Sequence, residues 1–329
     1  MIGRWIAYGL FLLGALLLQI LYDGYLGGLL LPIALALPVL SLLLSVPALA
    51  RAQIHVTPTA QRLQRGEVGA WEVSLNCPLP LPRLRIRLTI QNCLTQHRLQ
   101  QVLLFDGPGE GLLYRLPMGT DQCGKLLCQV VQVRMWDYMG LFPLPLKGRG
   151  QVEALVYPVP TEPRLLQIPG VRQALEALPL PAGRGQQLGD ADELRPYRPG
   201  DPLRTVHWKL STKWEEWIVR QGSPTVRPTV LLTFDHFGPY QAVEKVLDEL
   251  YSTAQALLER GYHCEIRWLN PQAGGGQVHT IVCQEDLLVC VDAILSQPLA
   301  PEGPSILEAL PPEQEGVLHC HLTPEEVGP

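Results

Sequence analysis

The sequence has few charged residues for its length, and it lacks the short motifs of several common enzyme classes. Only 17% of its 329 residues are Asp, Glu, Lys or Arg, and its net charge is −5 at pH 7. This balance disfavours nucleic-acid binding, because phosphate backbones attract basic surfaces. No G-x-S-x-G, no H-E-x-x-H and no phosphate-binding glycine loop with G-K-[ST] is present. The sequence therefore carries no signature of an α/β hydrolase, a zinc protease or a P-loop protein.

Paired cysteine motifs are also absent. The eight cysteines contain no C-x-x-C pair and no repeated spacing, whereas a zinc site or a disulfide framework would show one or the other. Cys123 and Cys128 could face each other across a hairpin, but nothing in the sequence supports a metal there. We therefore expect free, mostly buried thiols, and we expect no cofactor.

Two long uncharged segments are the clearest positive feature. Residues 5–22 would form a helix about 27 Å long, and residues 25–50 form a second run that can cross a bilayer with tilt. Asp23 and Gly24 between them predict a very short turn, so we predict a transmembrane helical hairpin over residues 1–51. A cleaved signal peptide ending near residue 50 is disfavoured, because the apolar region before that point is far too long.

Basic residues predict the orientation of this hairpin. Arg4 precedes the first span, and Arg51, Arg62 and Arg65 follow the second, whereas the connecting turn holds only Asp23. Basic residues are enriched on the cytoplasmic side of membrane proteins. We therefore expect an inner (plasma) membrane protein with both termini in the cytoplasm.

The period of the apolar residues changes after the second span. Leu84, Ile86, Leu88 and Ile90 alternate with polar residues, which is typical of a strand with one buried face. Similar short runs, separated by turns rich in Gly and Pro, predict a β-sandwich over residues 52–157. The arginines early in this region form either an ordinary charged outer face or a contact with anionic lipid headgroups near the second span.

An α/β domain is predicted to follow. Residues 158–188 are rich in proline and glycine and predict a connector with one short helix around Val171 to Leu178. Residues 189–300 predict an α/β sheet with crossover helices, and the acidic, proline-rich residues 301–329 predict a tail with at most one strand at 316–322. The individual predictions are a buried parallel strand at Thr229 to Phe234, strands at Cys264 to Leu269 and Val278 to Cys283, and helices at Gln241 to Arg260 and Glu285 to Ser296.

Charge and tryptophan are concentrated between Arg184 and Arg220. Thirteen of these 37 residues are charged, and three of the seven tryptophans of the chain lie here. The rings favour an ordered segment in which they are buried. Two alternatives remain: an internal ionic network that holds the connector on the sheet, or a partner-docking surface with Trp214 and Trp217 as apolar anchors. The residues concerned are Asp192, Glu193, Arg195, Tyr197, Gly200, Asp201, Arg204, His207, Trp208 and Lys209.

The order of residues in this segment resembles the signature of the bacterial domain of unknown function 58 (DUF58). Gly189 and the acidic pair Asp192-Glu193 precede an LR-x-Y-x-x-GD stretch, and Arg204 leads into His207-Trp208. The segment from Trp136 to Phe142 is similar to the family's D-P-F-G-L-F turn, and Val156-Tyr157-Pro158 is similar to its V-Y-P.

The resemblance implies both an architecture and partners. It implies a von Willebrand factor A-like, Rossmann-like domain for the α/β part of the chain. Members of the family are commonly encoded with MoxR-type AAA+ ATPases and with transglutaminase-like membrane proteins. The sequence leaves the oligomeric state open.

Asp235 is the candidate residue for a binding crevice. Metal-binding von Willebrand A domains end their first strand in D-x-S-x-S, but here Phe237 and Pro239 occupy the two serine positions. We therefore expect no bound metal, since two hydroxyl ligands are missing. A carboxylate at the end of a parallel strand still lies where α/β sheets place their crevices. The alternative role for Asp235 is that of a helix N-terminal or turn partner.

These observations favour a non-catalytic, membrane-anchored scaffold or adaptor. We expect it to work with a MoxR-type AAA+ ATPase, a transglutaminase-like membrane protein, or both, in the assembly or maturation of other proteins. The alternative is a cytoplasmic-side hydrolase that uses His207 with an acidic partner, because Asp201 and Arg204 lie close to His207 in the sequence.

Overall fold

The protein is described by a computed structural model that falls into two compact units. The first unit comprises Met1–Val159 with Asp292–Leu299, and the second comprises Pro160–Val291 with Ala300–Pro329. The described residues are 2–21, 25–77, 79–107, 112–146, 150–178, 193–197, 206, 208–214, 216–221, 230–270, 275–309 and 317–324.

Two helices at the start of the chain are long and apolar enough to cross a membrane. They are α1, Ile2–Leu21, and α2, Tyr25–Arg51. Only 6% of the apolar window of α1 and 17% of that of α2 are buried. Because the core helix of a soluble domain would be mostly buried, these two helices expose an apolar surface that water does not favour.

One of the three proline residues of α2, Pro38, is accommodated by a contact with α1. Pro38 lacks a backbone N–H, so the carbonyl of Ala34 loses the helical hydrogen bond it would otherwise accept. The hydroxyl of Tyr8 on α1 donates to that carbonyl at 3.0 Å. The neighbouring helix therefore satisfies the freed acceptor, as a polar group within a bilayer requires.

Two sheets follow in the first unit. The first sheet is antiparallel, with the order β1-β3-β6, and the second runs β2-β9-β7-β4-β5, with β8 also paired to β7. The strands are β1 Gln53–Pro58, β2 Arg62–Gln64, β3 Ala70–Asn76, β4 Leu81–Asn92, β5 Arg98–Gly107, β6 Leu112–Pro117, β7 Gly124–Trp136, β8 Pro143–Leu146 and β9 Gln151–Tyr157.

The two sheets share one hydrophobic core. Leu84, Ile86 and Leu88 of β4 are fully buried in the same cluster as Trp71 of β3, which is the one-face pattern that their alternation predicts. Ala48 of α2 belongs to this cluster as well. The last turns of α2 therefore pack into the sandwich that follows them.

The second unit is a mixed α/β structure. Its central sheet has the order β14-β13-β12-β15, in which β12 is parallel to β13 and to β15, and β14 is antiparallel to β13. The elements of this part of the chain are a 3₁₀ turn Leu165–Gln167, α3 Pro169–Ala177, β10 Glu193–Pro196, α4 Trp208–Trp214, β11 Ile218–Gln221, β12 Val230–Asp235, α5 Tyr240–Glu259, β13 Cys264–Asn270, β14 Gly275–Ile281, α6 Gln284–Ser296, α7 Ile306–Ala309 and β15 Leu318–Leu322. The residues of α6 from Asp292 onward are counted with the first unit.

The outline of the predicted fold is confirmed: two apolar helices that could cross a membrane precede a sheet-rich region and a mixed α/β sheet. Two elements differ from the prediction. The strand predicted at 278–283 begins at Gly275 and runs antiparallel, because residues 271–274 are too short a connection for a parallel crossover. The one strand allowed in the tail, β15, is not peripheral, since it pairs with the central strand β12.

The central sheet has one apolar and one mixed face. Leu232 and Phe234 of β12 and Ile266 and Trp268 of β13 are fully buried on the apolar face. Alternate residues of a strand point to opposite sides of a sheet, and register partners point to the same side. The opposite face is therefore mixed: it carries the polar residues Thr233, Asp235, Glu265, Arg267, His319 and His321 together with Leu231 and Leu269.

Candidate functional site

Part of the predicted signature lies outside the described residues. Asp192, Gly200, Asp201, Arg204 and His207 fall there. For Glu193 and Arg195 the structure describes only the backbone, as part of β10, where they pair with Gln221 and Val219 of β11. The ionic network and the catalytic role of His207 therefore stay predictions.

Three aromatic residues of the signature come together, and we call Tyr197, Trp208 and Trp217 the aromatic cluster. The rings of Tyr197 and Trp217 meet edge to face with centroids 5.2 Å apart, and those of Trp208 and Trp217 are 6.0 Å apart. The sequence favours buried rings here, yet Trp208 is 57% exposed and Trp217 is 50% exposed. The rings cover one another only in part and leave an apolar surface open.

Backbone contacts hold the aromatic cluster in place. The N–H of Tyr197 donates to the carbonyl of Trp217 at 2.7 Å, which extends the β10–β11 pairing by one residue. The N–H of Ile218 donates to the Ser211 hydroxyl of α4 at 2.9 Å, and both residues are buried. Trp208 begins α4, so two of the three rings are attached to elements that are fixed to each other.

Asp235 lies at the carboxyl end of β12, as the sequence predicts. Its carboxylate accepts hydrogen bonds from the hydroxyl of Ser305, at 3.0 and 3.1 Å to its two oxygens, and from the N–H of Ile306 at 2.8 Å. Ile306 is the first residue of α7. The carboxylate therefore acts as a helix N-terminal partner, which is the alternative role that the sequence analysis names.

Two histidines of β15 extend this polar region. The hydroxyl of Thr233 lies 2.9 Å from Nε2 of His319 and 3.0 Å from Nδ1 of His321. It can donate to one imidazole while it accepts from the other. Nε2 of His321 lies 3.8 Å from a carboxylate oxygen of Asp235, a distance that allows an ion pair but is too long for a hydrogen bond.

This polar region lies where α/β sheets bind ligands. Strand β12 has β13 on one side and β15 on the other. The chain connection from β12 leads to β13, away from β15, so the connections diverge between β12 and β15. Such a place is a topological switch point. Sequence reasoning found Asp235 but missed Ser305, His319 and His321. The alternation Leu-His-Cys-His-Leu over 318–322 could have placed both histidines on one face of a strand.

The chemistry available to this region is limited. Thr233 is fully buried, so its hydroxyl is not positioned to attack a substrate. Within the described ranges, no group of three or more His, Cys, Asp or Glu side chains could hold a metal ion. The carboxylate of Asp235 is already engaged by Ser305 and Ile306.

His236 has an unusual environment beside Asp235. Its side chain is buried, and neither ring nitrogen has a hydrogen-bond partner in the described part of the chain. Burial lowers the pKa of this imidazole to about 4, because the charged form loses its hydration. His236 is therefore a neutral side chain at physiological pH.

The cysteines are free thiols, as the sequence predicts. Burial raises the pKa of Cys128 to about 11 and that of Cys264 to about 12. Burial also raises the pKa of Cys290, and the neighbouring Cys264 contributes to that shift. Because the thiolate is the reactive form, these three cysteines are not suited to nucleophilic chemistry.

Comparisons with known proteins add little to this geometry. No family model and no curated protein matches the sequence. Among solved structures, the cohesin module from the family 33 glycoside hydrolase of Clostridium perfringens ATCC13124 matches 32% of this chain and 95% of its own length, at 8% identity and a TM-score of 0.23. A likeness this weak supports no argument about the fold or the function.

Proposed function

We propose that the protein is a membrane-anchored adaptor that binds another protein through its aromatic cluster. The observation that carries this proposal is the exposure of Trp208 and Trp217 on elements that hydrogen bonds join to each other. Tryptophan and tyrosine dominate the energetics of protein interfaces, because they bury a large apolar area at a small cost in side-chain entropy. Half-exposed rings that are already ordered are well prepared for such a contact.

The membrane anchor in this proposal is the α1–α2 hairpin. Both helices expose apolar side chains along their length, and the bond from Tyr8 to Ala34 satisfies a carbonyl that would be costly in lipid. With Arg4 and Arg51 at the ends away from the turn, both termini lie in the cytoplasm and the membrane is the inner membrane.

A binding role agrees with the polar groups of the sheet better than a catalytic role does. The hydroxyl of Thr233 is inaccessible, and the Asp235 carboxylate holds the start of α7. These groups stabilise the end of the sheet instead of facing a substrate. We therefore propose that the protein is not an enzyme.

The DUF58 resemblance supplies the identity of the proposed partners. We propose a DUF58-type protein whose second unit is a von Willebrand A-like domain; the parallel β13-β12-β15 sheet with the crossover helix α5 supports this assignment. The partner is then a MoxR-type AAA+ ATPase, a transglutaminase-like membrane protein, or both. The adaptor holds this machinery at the membrane during the assembly or maturation of other proteins.

The test is a binding experiment with full-length protein in detergent. The immobilised protein should retain a MoxR-type ATPase, and ATP should change the amount retained, since AAA+ proteins change conformation with nucleotide. Absence of retention with and without ATP would contradict this choice of partner.

A further inference from the structure

A turn of the β-sandwich is fastened to the second apolar helix. The turn is Asp137–Phe142, between β7 and β8, and we call it the β7–β8 turn. The buried carboxylate of Asp137 accepts a hydrogen bond from the hydroxyl of Ser41 at 2.6 Å and from the N–H groups of Met139 and Phe142 at 3.3 and 2.7 Å. Three donors satisfy the buried carboxylate, and the donor from Ser41 ties the turn to α2.

The same turn contacts the start of the first apolar helix. The rings of Trp5 and Phe142 meet edge to face with centroids 5.3 Å apart. The guanidinium of Arg4 lies against Gly140, where it would collide with any Cβ atom. Gly140 also has a φ of +71°, a backbone conformation that favours glycine, whereas the end of the flexible Arg4 side chain could move aside. The β7–β8 turn therefore contacts both helices of the hairpin.

The register of the hairpin places this turn at a definite depth. Tyr8 is bonded to Ala34, and seven residues, about 10 Å of helix, separate Ala34 from Ser41. Six residues, about 9 Å of helix, separate Tyr8 from Ile2 at the beginning of α1, so Ser41 lies close to the level of that end of the helix. The 20 residues of α1 span about 30 Å, which is the thickness of the hydrocarbon core of a bilayer.

Beyond Ser41, one face of α2 packs on protein. Ser45 and Ala48 are fully buried, and Ala48 is part of the sandwich core, whereas Leu43, Leu44 and Val46 on the rest of the helix stay exposed. Because the length of α1, about 30 Å, ends close to the level of Ser41, we place the edge of the hydrocarbon region near Ser41 and the β7–β8 turn where the headgroups begin.

The exposed aromatic side chains near the β7–β8 turn are of the kind found in the headgroup region of a bilayer. Tyr138 is 45% exposed, and its hydroxyl donates to the carbonyl of Pro80 at 2.7 Å. Trp5 is exposed to a similar extent. Tyrosine and tryptophan are enriched at membrane–water interfaces, where an apolar ring and a polar group are both accommodated.

Basic side chains follow on the neighbouring strands. Arg83 lies three positions after Pro80 along the chain, and Arg85 and Arg134 are register partners on β4 and β7. Asp106 lies 3.7 Å from Arg83, whereas no ion pair is found for Arg85 or Arg134 among the described residues. Arg83 and Arg134 are exposed, and Arg85 is half-buried with its Nε atom buried. Such a group of arginines is attracted to anionic headgroups, which favours lipid over an apolar protein partner at this surface.

We propose that the β7–β8 turn lies in the headgroup region of the bilayer, with Tyr138 in contact with phospholipid, and that the Ser41–Asp137 bond holds it there. The hairpin and the sandwich then form one rigid membrane-seated body. This inference rests on the proposed anchoring by α1 and α2. A second copy of the chain or another protein at Tyr138 is an outcome that the test can detect.

The test uses the full-length protein in nanodiscs of phosphatidylcholine and phosphatidylglycerol. Tyr138 is replaced by the photo-crosslinker p-benzoylphenylalanine, and adducts are identified by mass spectrometry after irradiation. The matched control is the same replacement at Tyr114 on β6, which is also 45% exposed. We expect phospholipid adducts at least about ten-fold more often at position 138 than at 114. Equal yields, no lipid adduct, or adducts to protein at position 138 would overturn the proposal.

A second measurement tests the Ser41–Asp137 bond without the crosslinker. Ser41→Ala removes the side-chain donor to Asp137 and also the hydroxyl that accepts from the N–H of Met139 at 3.0 Å. The hydroxyl of Ser45 bonds only to the carbonyl of Ser41 within its own helix among the described contacts, so Ser45→Ala is the control. We expect hydrogen exchange at Phe142, whose N–H bonds to Asp137 and not to Ser41, to be about ten-fold faster in Ser41→Ala, and unchanged in Ser45→Ala. Unchanged exchange in Ser41→Ala would contradict the role of this bond.

Alkaline extraction of membranes distinguishes the two levels of the proposal. If the full-length protein is released by alkali, the proposed anchoring is wrong. If the protein stays in the membrane fraction while position 138 yields no lipid adduct, only the location of the β7–β8 turn is wrong.

Discussion

The hydroxyl of Tyr8 donates to the carbonyl of Ala34, the acceptor that Pro38 leaves without its helical partner. A single bond thus joins the two apolar helices at the point where a proline interrupts the second. It makes Pro38 acceptable in a helix that could span a membrane, because an unsatisfied carbonyl in lipid is costly.

Removal of this hydroxyl should weaken the hairpin. Tyr8→Phe keeps the ring and deletes the donor, so we expect the free energy of unfolding in mixed micelles to fall by about 1 kcal/mol. The measurement is an SDS titration of the full-length protein, followed by circular dichroism. Tyr25→Phe at the exposed start of α2 is the control and should match the parent. Equal stability of Tyr8→Phe and the parent would show that the bond does not contribute.

The buried imidazole of His236 should make the second unit sensitive to acid. Its pKa is lowered by burial from the ordinary value of 6.5 to about 4. Above pH 6.5 the group is neutral in both the folded and unfolded states. As the pH falls below 6.5, the unfolded chain takes up a proton that the folded chain does not, so stability is lost until the pH reaches about 4.

His236→Phe should remove this contribution. In the parent, the free energy of unfolding that is lost through His236 between pH 7 and pH 4 is about 3 kcal/mol. The variant should therefore lose less stability than the parent over this range. Thermal unfolding of the full-length protein across this range measures the difference. His55→Phe, at an exposed position, controls for the loss of one histidine. A variant with the same pH dependence as the parent would show that His236 can be protonated in the folded state at little cost.

Reporter fusions test the proposed orientation. A reporter fused after Pro329 should behave as cytoplasmic, because the basic residues Arg4 and Arg51 lie at the ends of the hairpin away from its turn. Alkaline phosphatase fused after Gly24, behind the first span alone, should be active and serves as the positive control. Phosphatase activity from the fusion after Pro329 would contradict the orientation.

Periodic patterns allowed the regular elements to be predicted. The alternation from Leu84 to Ile90 predicts β4, and the apolar run ending at Asp235 predicts β12. Such predictions are possible because a strand buried on one face shows alternating apolar residues, and a strand buried on both faces shows a continuous apolar run. The prediction was weaker for β15, whose five residues lie within an acidic, proline-rich segment. Its position beside β12 depends on long-range pairing, which no local pattern specifies.

The candidate site was only partly predictable for the same reason. Asp235 could be placed from its strand, but its partners Ser305 and Ile306 lie about 70 residues further along the chain. The bond from Ser41 to Asp137 joins a residue of an apolar helix to a residue of a turn. Neither local sequence pattern predicts a contact with the other. The exposure of Trp208 and Trp217 depends on how α4 and β11 pack, which composition alone does not indicate.

The central claim of the proposed function is that the partner binds at the aromatic cluster. A single pair of variants tests this claim. Trp208→Ala and Trp217→Ala each delete a half-exposed ring, whereas Val289→Ala removes an exposed apolar side chain on α6 as the control. An interface anchor of this kind contributes about 2 kcal/mol or more to binding.

The most direct measurement is therefore the affinity of full-length protein in nanodiscs for the MoxR-type ATPase, with and without ATP. We predict that each tryptophan variant weakens binding at least about thirty-fold while its melting temperature stays within about 3 °C of the parent, and that Val289→Ala binds as the parent does. Binding of both tryptophan variants at parental affinity would contradict the adaptor account.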